Sequence, residues 1–249
     1  MGRVKASPEA QSRLLELADL DAELARLDHR RRTLPEIAQL EQMEARSREL
    51  RDGIVMADTE LSDLGREQTR AERDVEQVRQ RIDRDRARLD SGQVSAAREL
   101  SNLQSEVESL LRRQSDLEEV VLDAMERREA ADGRRDALTS EQATLAGQAT
   151  ELTARRDAAL EEIGEQAAKA QASRAAVAAD VPADVLALYD KLRAQHGVGA
   201  AMLRRGRCEG CHLSLNTVDL NQIRAAAPDE VLRCEECRRI LVRTAESGL

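Results

Sequence analysis

Phenylalanine and tryptophan are absent from the 249 residues, and tyrosine occurs once, at Tyr189. Aromatic side chains bury roughly 150–250 Å² each and dominate most globular cores. Without them, a sizeable single-core catalytic domain is excluded as an expectation. Chain breakers are scarce too, with four prolines and twelve glycines. Lysine is nearly missing: three residues (Lys5, Lys169, Lys191) stand against 36 arginines, a bias that reads as a GC-rich genome and not as a binding signature. No apolar run approaches the ~18–20 residues that a membrane helix needs. Met1-Gly2-Arg3-Val4-Lys5-Ala6 leads into no hydrophobic stretch, so no signal peptide is expected. The expectation is a soluble, cytoplasmic protein with no membrane association. Thiols stay reduced in that compartment, so the four cysteines point to metal or redox chemistry and away from disulfides.

What the chain does have is charge (35%) and a 41% hydrophobic fraction supplied mostly by alanine and aliphatics. That is the composition of long helices or coiled coil. The apolar residues are too numerous and too regularly spaced for a disordered acidic tail. The net charge of −9 is uneven. From Gly197 to Leu249 there are eight Arg and seven Asp or Glu, a balance of +1, which leaves −10 on the preceding residues. An acidic shaft carries a near-neutral, arginine-dotted head.

The shaft shows heptads. Leu17, Leu20, Leu24, Leu27 and Leu34 begin an a/d alternation that Pro35 interrupts. From Leu40 one register persists, with Ile54, Leu61, Val75 and Ile82 among its a positions and Leu50, Ala57, Leu64, Ala71 and Asp85 among its d positions. Asp90-Ser91-Gly92 breaks it with turn formers. A second register starts at Leu100 and runs through Val107, Val121 and Ile163 at a and Leu103, Leu117, Ala124 and Ala131 at d. Apolar residues sustained at this spacing form a coiled-coil seam. The arms are about equal, each ~115–120 Å long at the helical rise, so the chain is expected to fold back as an intramolecular antiparallel hairpin. Arg128, Arg135 and Arg156 occupy a positions. Their stems snorkel and their heads find acids at the edge, or they disfavour slipped registers. A symmetric hairpin places Arg128 near Ala57 and Asp58. The expected domains are a hairpin over 1–179 with its turn near 90–95, and a junction helix with a metal-binding head over 180–249.

Residues 167–179 thin to Ala-rich helix, and Asp180-Val181-Pro182 is a break, with Pro182 suited to the first position of a new helix. Val185, Leu186, Leu188, Tyr189 and Leu192 give that helix an apolar face, and Gly197 ends it. Tyr189 reads as a packing residue. Strand-like pieces follow at 198–203 and 239–243, and Thr217 is placed to cap a short helix from Val218 to about Ala226.

Between the strands stand Cys208-Glu209-Gly210-Cys211 and Cys234-Glu235-Glu236-Cys237. Each C-x-x-C turn aims two thiolates at one point, and two such turns complete a tetrahedron around zinc. A redox role is disfavoured because neither pair sits in a βαβ pattern. Iron suits four cysteines as well. Four thiolates close the coordination shell, so the expected cofactor is one structural zinc held by Cys208, Cys211, Cys234 and Cys237. His212 is then a surface or supporting residue. No phosphate loop, nucleophile elbow or paired-carboxylate constellation is present, so neither catalysis nor a small-molecule substrate is expected.

The segment Leu188-Tyr189-Asp190-Lys191-Leu192-Arg193, the two cysteine knuckles and the Arg238-Arg239-Ile240-Leu241 that follows resemble the bacterial C4-type zinc-ribbon, coiled-coil hairpin family. Arg98-Glu99-Leu100-Ser101-Asn102-Leu103 and Leu117-Glu118-Glu119-Val120-Val121-Leu122 are similar to that family's returning helix. Members often carry Gly after the last cysteine; Arg238 stands there here, which implies a slightly strained knuckle. The resemblance implies a mostly α protein with a minor-β zinc-ribbon head, acting as a non-enzymatic adaptor through protein partners on hairpin and ribbon. Relatives are connected with sigma factors, flagellar or secretion components, and RNA, roles that belong to particular lineages. The alternative is nucleic-acid binding, to RNA or DNA, through Arg204, Arg205, Arg207, Arg233, Arg238, Arg239 and Arg243. Against it stand the interspersed Glu209, Glu235 and Glu236 and the lack of aromatics for base stacking.

Overall fold

The computed structural model describes residues 4–92 and 94–249. The start of the N-terminus read above, residues 1–3, and residue 93 of the turn lie outside the described residues. The chain forms α1 (Pro8–Arg32), α2 (Pro35–Asp90), α3 (Ala97–Ala179) and α4 (Ala183–His196), then β1 (Ala200–Arg204), β2 (Arg207–Cys208), α5 (Thr217–Ala225), β3 (Leu232–Arg233) and β4 (Ile240–Val242). It divides into two units, Met1–Ile37 with Ala154–Leu249, and Ala38–Thr153.

The Ala38–Thr153 unit is the antiparallel pairing of α2 with α3. Leu50, Ala57, Leu64, Ala71 and Asp85 on α2 and Leu103, Leu117, Ala124 and Ala131 on α3 are buried. These are d positions of the two registers. Of the a positions, Ile82 and Val107 are also buried, whereas Ile54, Leu61, Gln68, Val75 and Val121 are only half-buried. Each leucine taken out of water stabilises the pair by about 1.5–3 kcal/mol. Ion pairs cross between the helices, Arg46 to Glu141 at 2.8 Å and Arg134 to Glu60 at 2.6 Å, with Arg81 to Glu106 nearer the turn. They are exposed, so they set alignment more than stability.

The arginines at a positions do not bury their heads. Arg135 pairs with Asp132 and Asp136, and Arg156 with Asp157. Arg128 is exposed and donates to Gln68 Oε1 at 3.1 Å, ten residues nearer the turn than Asp58. Asp58 is also the least of several carboxylates that raise Arg135, one heptad on. Arg128 nevertheless lines one groove with Asp58, where the symmetric hairpin places it, and only its head turns away to Gln68. Residues 94–96 connect the arms without helix, and Arg46 with Glu141 and Arg81 with Glu106 pair at the spacing that counting evenly from the turn gives.

In the other unit, Ser7 caps α1 by accepting from the Ala10 N–H, and Pro8 occupies its first turn. At the break before Pro35, Leu34 is buried with Leu27 and Ile163 against Ile37, Ala159 and Leu160. The Pro182 assignment shifts by one: it is the N-cap of α4 and helix starts at Ala183. Likewise Asn216, not Thr217, caps α5, its side chain accepting from Asp219 N at 2.8 Å. An amide oxygen at that position reaches the orphan N–H groups of the first turn.

The ribbon sheet has strand order β2-β1-β4-β3. β1 and β4 are parallel neighbours, with Ala200, Ala201 and Met202 opposite Ile240, Leu241 and Val242. Side chains alternate between two faces, as strands require. Ala200, Ile240 and Val242 pack on Leu14, Leu17, Val185, Tyr189 and Leu192 of α1 and α4. Ala201, Leu203 and Leu241 face the cysteines and Ile223. The sheet therefore shares a hydrophobic core with two helices. The N-terminal segment adds to this: Ala6 N donates to Asp229 O at 2.8 Å and Val231 N to Val4 O at 3.3 Å.

Candidate metal centre

The two C-x-x-C turns are built alike. Cys208 enters on β2 after the Arg205-Gly206 turn, and Cys234 follows β3 directly. In the first knuckle Cys208 N donates to Leu213 O at 3.0 Å, and Cys208 O accepts from His212 N at 2.8 Å. In the second, Cys234 N donates to Arg239 O at 3.0 Å, and Cys234 O accepts from Arg238 N at 2.9 Å. The same bonds at the same offsets force the same backbone. His212 (φ 61°) and Arg238 (φ 62°) both adopt the left-handed region, where a non-glycine residue carries strain of about 1–2 kcal/mol. The strain implied by Arg238 is thus present, and His212 shares it.

The four Sγ atoms lie within 4.8 Å of one another, with Cys208 and Cys237 at 3.9 Å and Cys211 and Cys234 at 3.9 Å. Zn–S bonds of ~2.3 Å set the edge of a ZnS₄ tetrahedron at ~3.8 Å. The sulfurs are spaced for that ion and are not bonded to each other. His212 is exposed and outside the cluster. Burial and neighbouring thiols push the Cys208 thiol up to about 12, and burial raises Cys234 as well. At Cys237 burial also opposes ionisation, but hydrogen bonds from Arg239 outweigh it and hold this thiol low. A quartet with Cys208 and Cys234 buried and Cys211 and Cys237 half-buried, which repels its own negative charge, is a site suited to a cation.

Comparison with known proteins agrees with this geometry. Residues 17–197 match the model of the CT398-like coiled coil hairpin domain, and residues 207–241 that of the C4-type zinc ribbon domain. The chain belongs to the CT398-like coiled-coil hairpin family. An uncharacterized protein of Mycobacterium tuberculosis is 38% identical over 243 residues, covering 96% of this chain and 98% of its own. A solved structure from Mycobacterium smegmatis superimposes with a TM-score of 0.83 at 36% identity, over 97% of this chain and all of that one. CT398 from Chlamydia trachomatis shares the fold at 17% identity, with a TM-score of 0.71 over 95% of this chain and 98% of its own. As in its C4-type ribbon family, the ribbon carries one structural zinc ion, and no catalytic family is among the matches. No helix among the described residues is long and apolar enough to cross a membrane.

The seven ribbon arginines do not converge on one free surface. Arg239 threads back to Gly210 O at 3.0 Å, His196 O at 3.1 Å and Val198 O at 3.3 Å, tying the second knuckle to the first and to the end of α4. A Cβ on Gly210 would come 3.1 Å from Arg239 Cδ and 2.8 Å from Ala201 Cβ, so this close approach needs glycine. Arg243 donates to Ile223, Ala226, Ala227, Pro228 and Glu230 carbonyls, closing the C-terminal end of α5. Arg204 pairs with Glu246 at 2.9 Å and Arg238 with Glu235 at 3.2 Å, while Arg233 Nε donates to Arg238 O at 2.8 Å. Arg205 and Arg207 remain exposed at the β1–β2 turn.

A polar centre that composition conceals lies behind the ribbon. Asp21 is buried on α1; its Oδ1 lies 2.7 Å from Arg174 Nε and 2.8 Å from Arg193 Nε, and its Oδ2 accepts from the Tyr189 hydroxyl at 2.7 Å. Burial, then the bond to Asp21, raise the Tyr189 phenol far above its ordinary range. The lone aromatic is a packing residue whose hydroxyl is fully engaged. Gly199 passes so close that a Cβ there would sit 2.3 Å from Tyr189 O. The available signal for this centre was an aspartate on the apolar face between Leu17 and Leu24.

Proposed function

We propose that this protein is a non-enzymatic cytoplasmic adaptor. Its hairpin arms present long faces to protein partners, and its ribbon, held by zinc on Cys208, Cys211, Cys234 and Cys237, serves as a docking head. The observation that carries the reading is the use of the polar residues. The cysteines are spaced to close a metal shell, and Asp21 and Tyr189 satisfy one another inside the core. What faces solvent on the helices is a long, ordered surface with exposed apolar side chains such as Val55, Met56 and Leu122. Such surfaces are used for protein contact.

Nucleic-acid binding is the second reading, and the exposed Arg205 and Arg207 are what favours it. With the other five ribbon arginines engaged by carbonyls or carboxylates, few phosphates can be neutralised, and affinity should be weak and salt-sensitive. In-cell photo-cross-linking from hairpin positions of the full chain, followed by mass spectrometry, tests the adaptor reading. Specific protein adducts are expected. Adducts to RNA or DNA alone, with anisotropy titrations of the full chain reproducing that binding at low salt, would replace it with the second reading.

A further inference from the structure

Within Ala38–Thr153 the two sides of the seam are unequal. Ala57, Ala71, Ala124 and Ala131 are buried at d positions, and four small residues there draw the helices together along that line. Beside them the a positions Leu61, Gln68 and Val121 are left only half-covered. There, an elongated groove of about 740 Å³ runs between α2 residues 58–68 and α3 residues 122–135. Leu61, Leu122 and Met125 give it an apolar floor; Leu122 is 58% exposed and Met125 47%. Its length, some thirteen residues of α3 at 1.5 Å each, accommodates a helix of about three to four turns.

The rim is acidic. Asp58, Glu126, Glu129 and Asp132 line it against Arg128 and Arg135, a balance of −2. Arg135 is held by Asp132 and Asp136, and Arg128 by Gln68. Glu126 and Glu129 have no ion-pair partner among the described residues. A second copy of this hairpin would bring a like-charged rim against this one, which costs free energy. We propose that the groove is a docking site for an amphipathic helix of a partner protein, with apolar residues at i, i+3, i+4 and i+7 and lysines or arginines flanking them. Leucine and methionine on the floor adapt to varied side chains, and the unpaired glutamates select the basic flanks. This site rests on the adaptor reading and assigns it a location and a chemistry.

The test uses the full chain and three synthetic fourteen-residue peptides: a leucine-faced helix with lysine flanks, the same helix with glutamate flanks, and a scramble of the first. Fluorescence anisotropy is expected to show binding of the lysine-flanked helix alone. Glu126→Lys/Glu129→Lys and, separately, Leu122→Ser/Met125→Ser should each weaken it about tenfold or more, with circular dichroism unchanged because all four residues are exposed. Equal binding of the two helical peptides, or indifference to both double variants, would overturn the site. So would sedimentation velocity showing a dimer that Leu122→Ser/Met125→Ser dissociates, which would give the groove to a second copy. If the peptides fail while in-cell cross-linking still recovers protein partners, the groove is wrong and the adaptor reading stands. If cross-linking recovers none, the adaptor reading fails with it.

Discussion

Asp21 receives Arg174, Arg193 and the Tyr189 hydroxyl with its side chain fully buried. Breaking a buried charge cluster by removing one partner costs about 3–5 kcal/mol, because the remaining charges stay desolvated. Asp21→Ala should lose that much in chemical denaturation. Tyr189→Phe, which leaves the aspartate its two arginines, should lose only about 1 kcal/mol. Equal, small losses from both would mean that the cluster is solvated. The knuckles offer the opposite case. At φ 62° Arg238 is strained, and its pair with Glu235 is exposed and so worth little. Arg238→Gly should raise stability by about 0.5–1 kcal/mol, read as a higher thermal midpoint of the zinc-loaded protein; a lower midpoint would show that the side chain contributes more than its backbone costs.

At the scale of the elements, α2 and α3 are held by their d line together with Ile82 and Val107 of the a line, and one member of the d line is a charge. Asp85 is buried near the turn; among the described residues its Oδ2 has no hydrogen-bond partner, and Arg81 Nε lies 3.9 Å away. A buried, poorly paired carboxylate destabilises its surroundings. Asp85→Leu should stabilise the helix pair by about 1–3 kcal/mol, measured by urea denaturation. A loss of stability there would show that the carboxylate is better paired than its geometry indicates. The heptads made this pairing readable, since apolar spacing alone selects the facing residues. The hydrogen-bond partner of Arg128 was not readable, because a long side chain reaches past the residues it faces, here to Gln68, and no periodicity encodes that choice.

For the molecule as a whole, the ribbon sheet has cysteines on one face and helices on the other. Chelating the zinc should accelerate amide exchange in the knuckles, 205–216 and 230–239, while α1 and α4 keep their protection through the shared core of Leu14, Leu17, Val185 and Tyr189. Global loss of protection would mean that the metal holds the helices as well. Zinc binding should also depend on pH with a definite sign. In the metal-free ribbon Cys208 is raised to about 12, so at neutral pH it binds a proton that the metal must displace. Apparent affinity should therefore fall at least about tenfold per pH unit on acidification, and calorimetry in buffers of different ionisation enthalpy should detect the released protons. Affinity independent of pH would mean that the thiols are already ionised.

The metal centre was legible because its ligands are local: two C-x-x-C turns bring their own thiolates together, and two short strands suffice to oppose them. The hairpin was legible because a seam is written as a period. The arginines were not, since Arg239 and Arg243 look cationic in sequence and only the returning chain supplies the carbonyls they bind. Nor was Asp21, whose partners lie more than 150 residues away. The sequence by itself determined the two kinds of architecture and the absence of an aromatic core, because helix periodicity and cysteine spacing act over a few residues. The tertiary structure decided how that absence is met. Small β-strand side chains rest on helices α1 and α4, the single tyrosine is held by a buried aspartate, and alanine layers leave a groove beside residues 58–68 and 122–135 of the hairpin. Each depends on which distant surfaces meet, and chain-distant packing is not encoded in any local pattern.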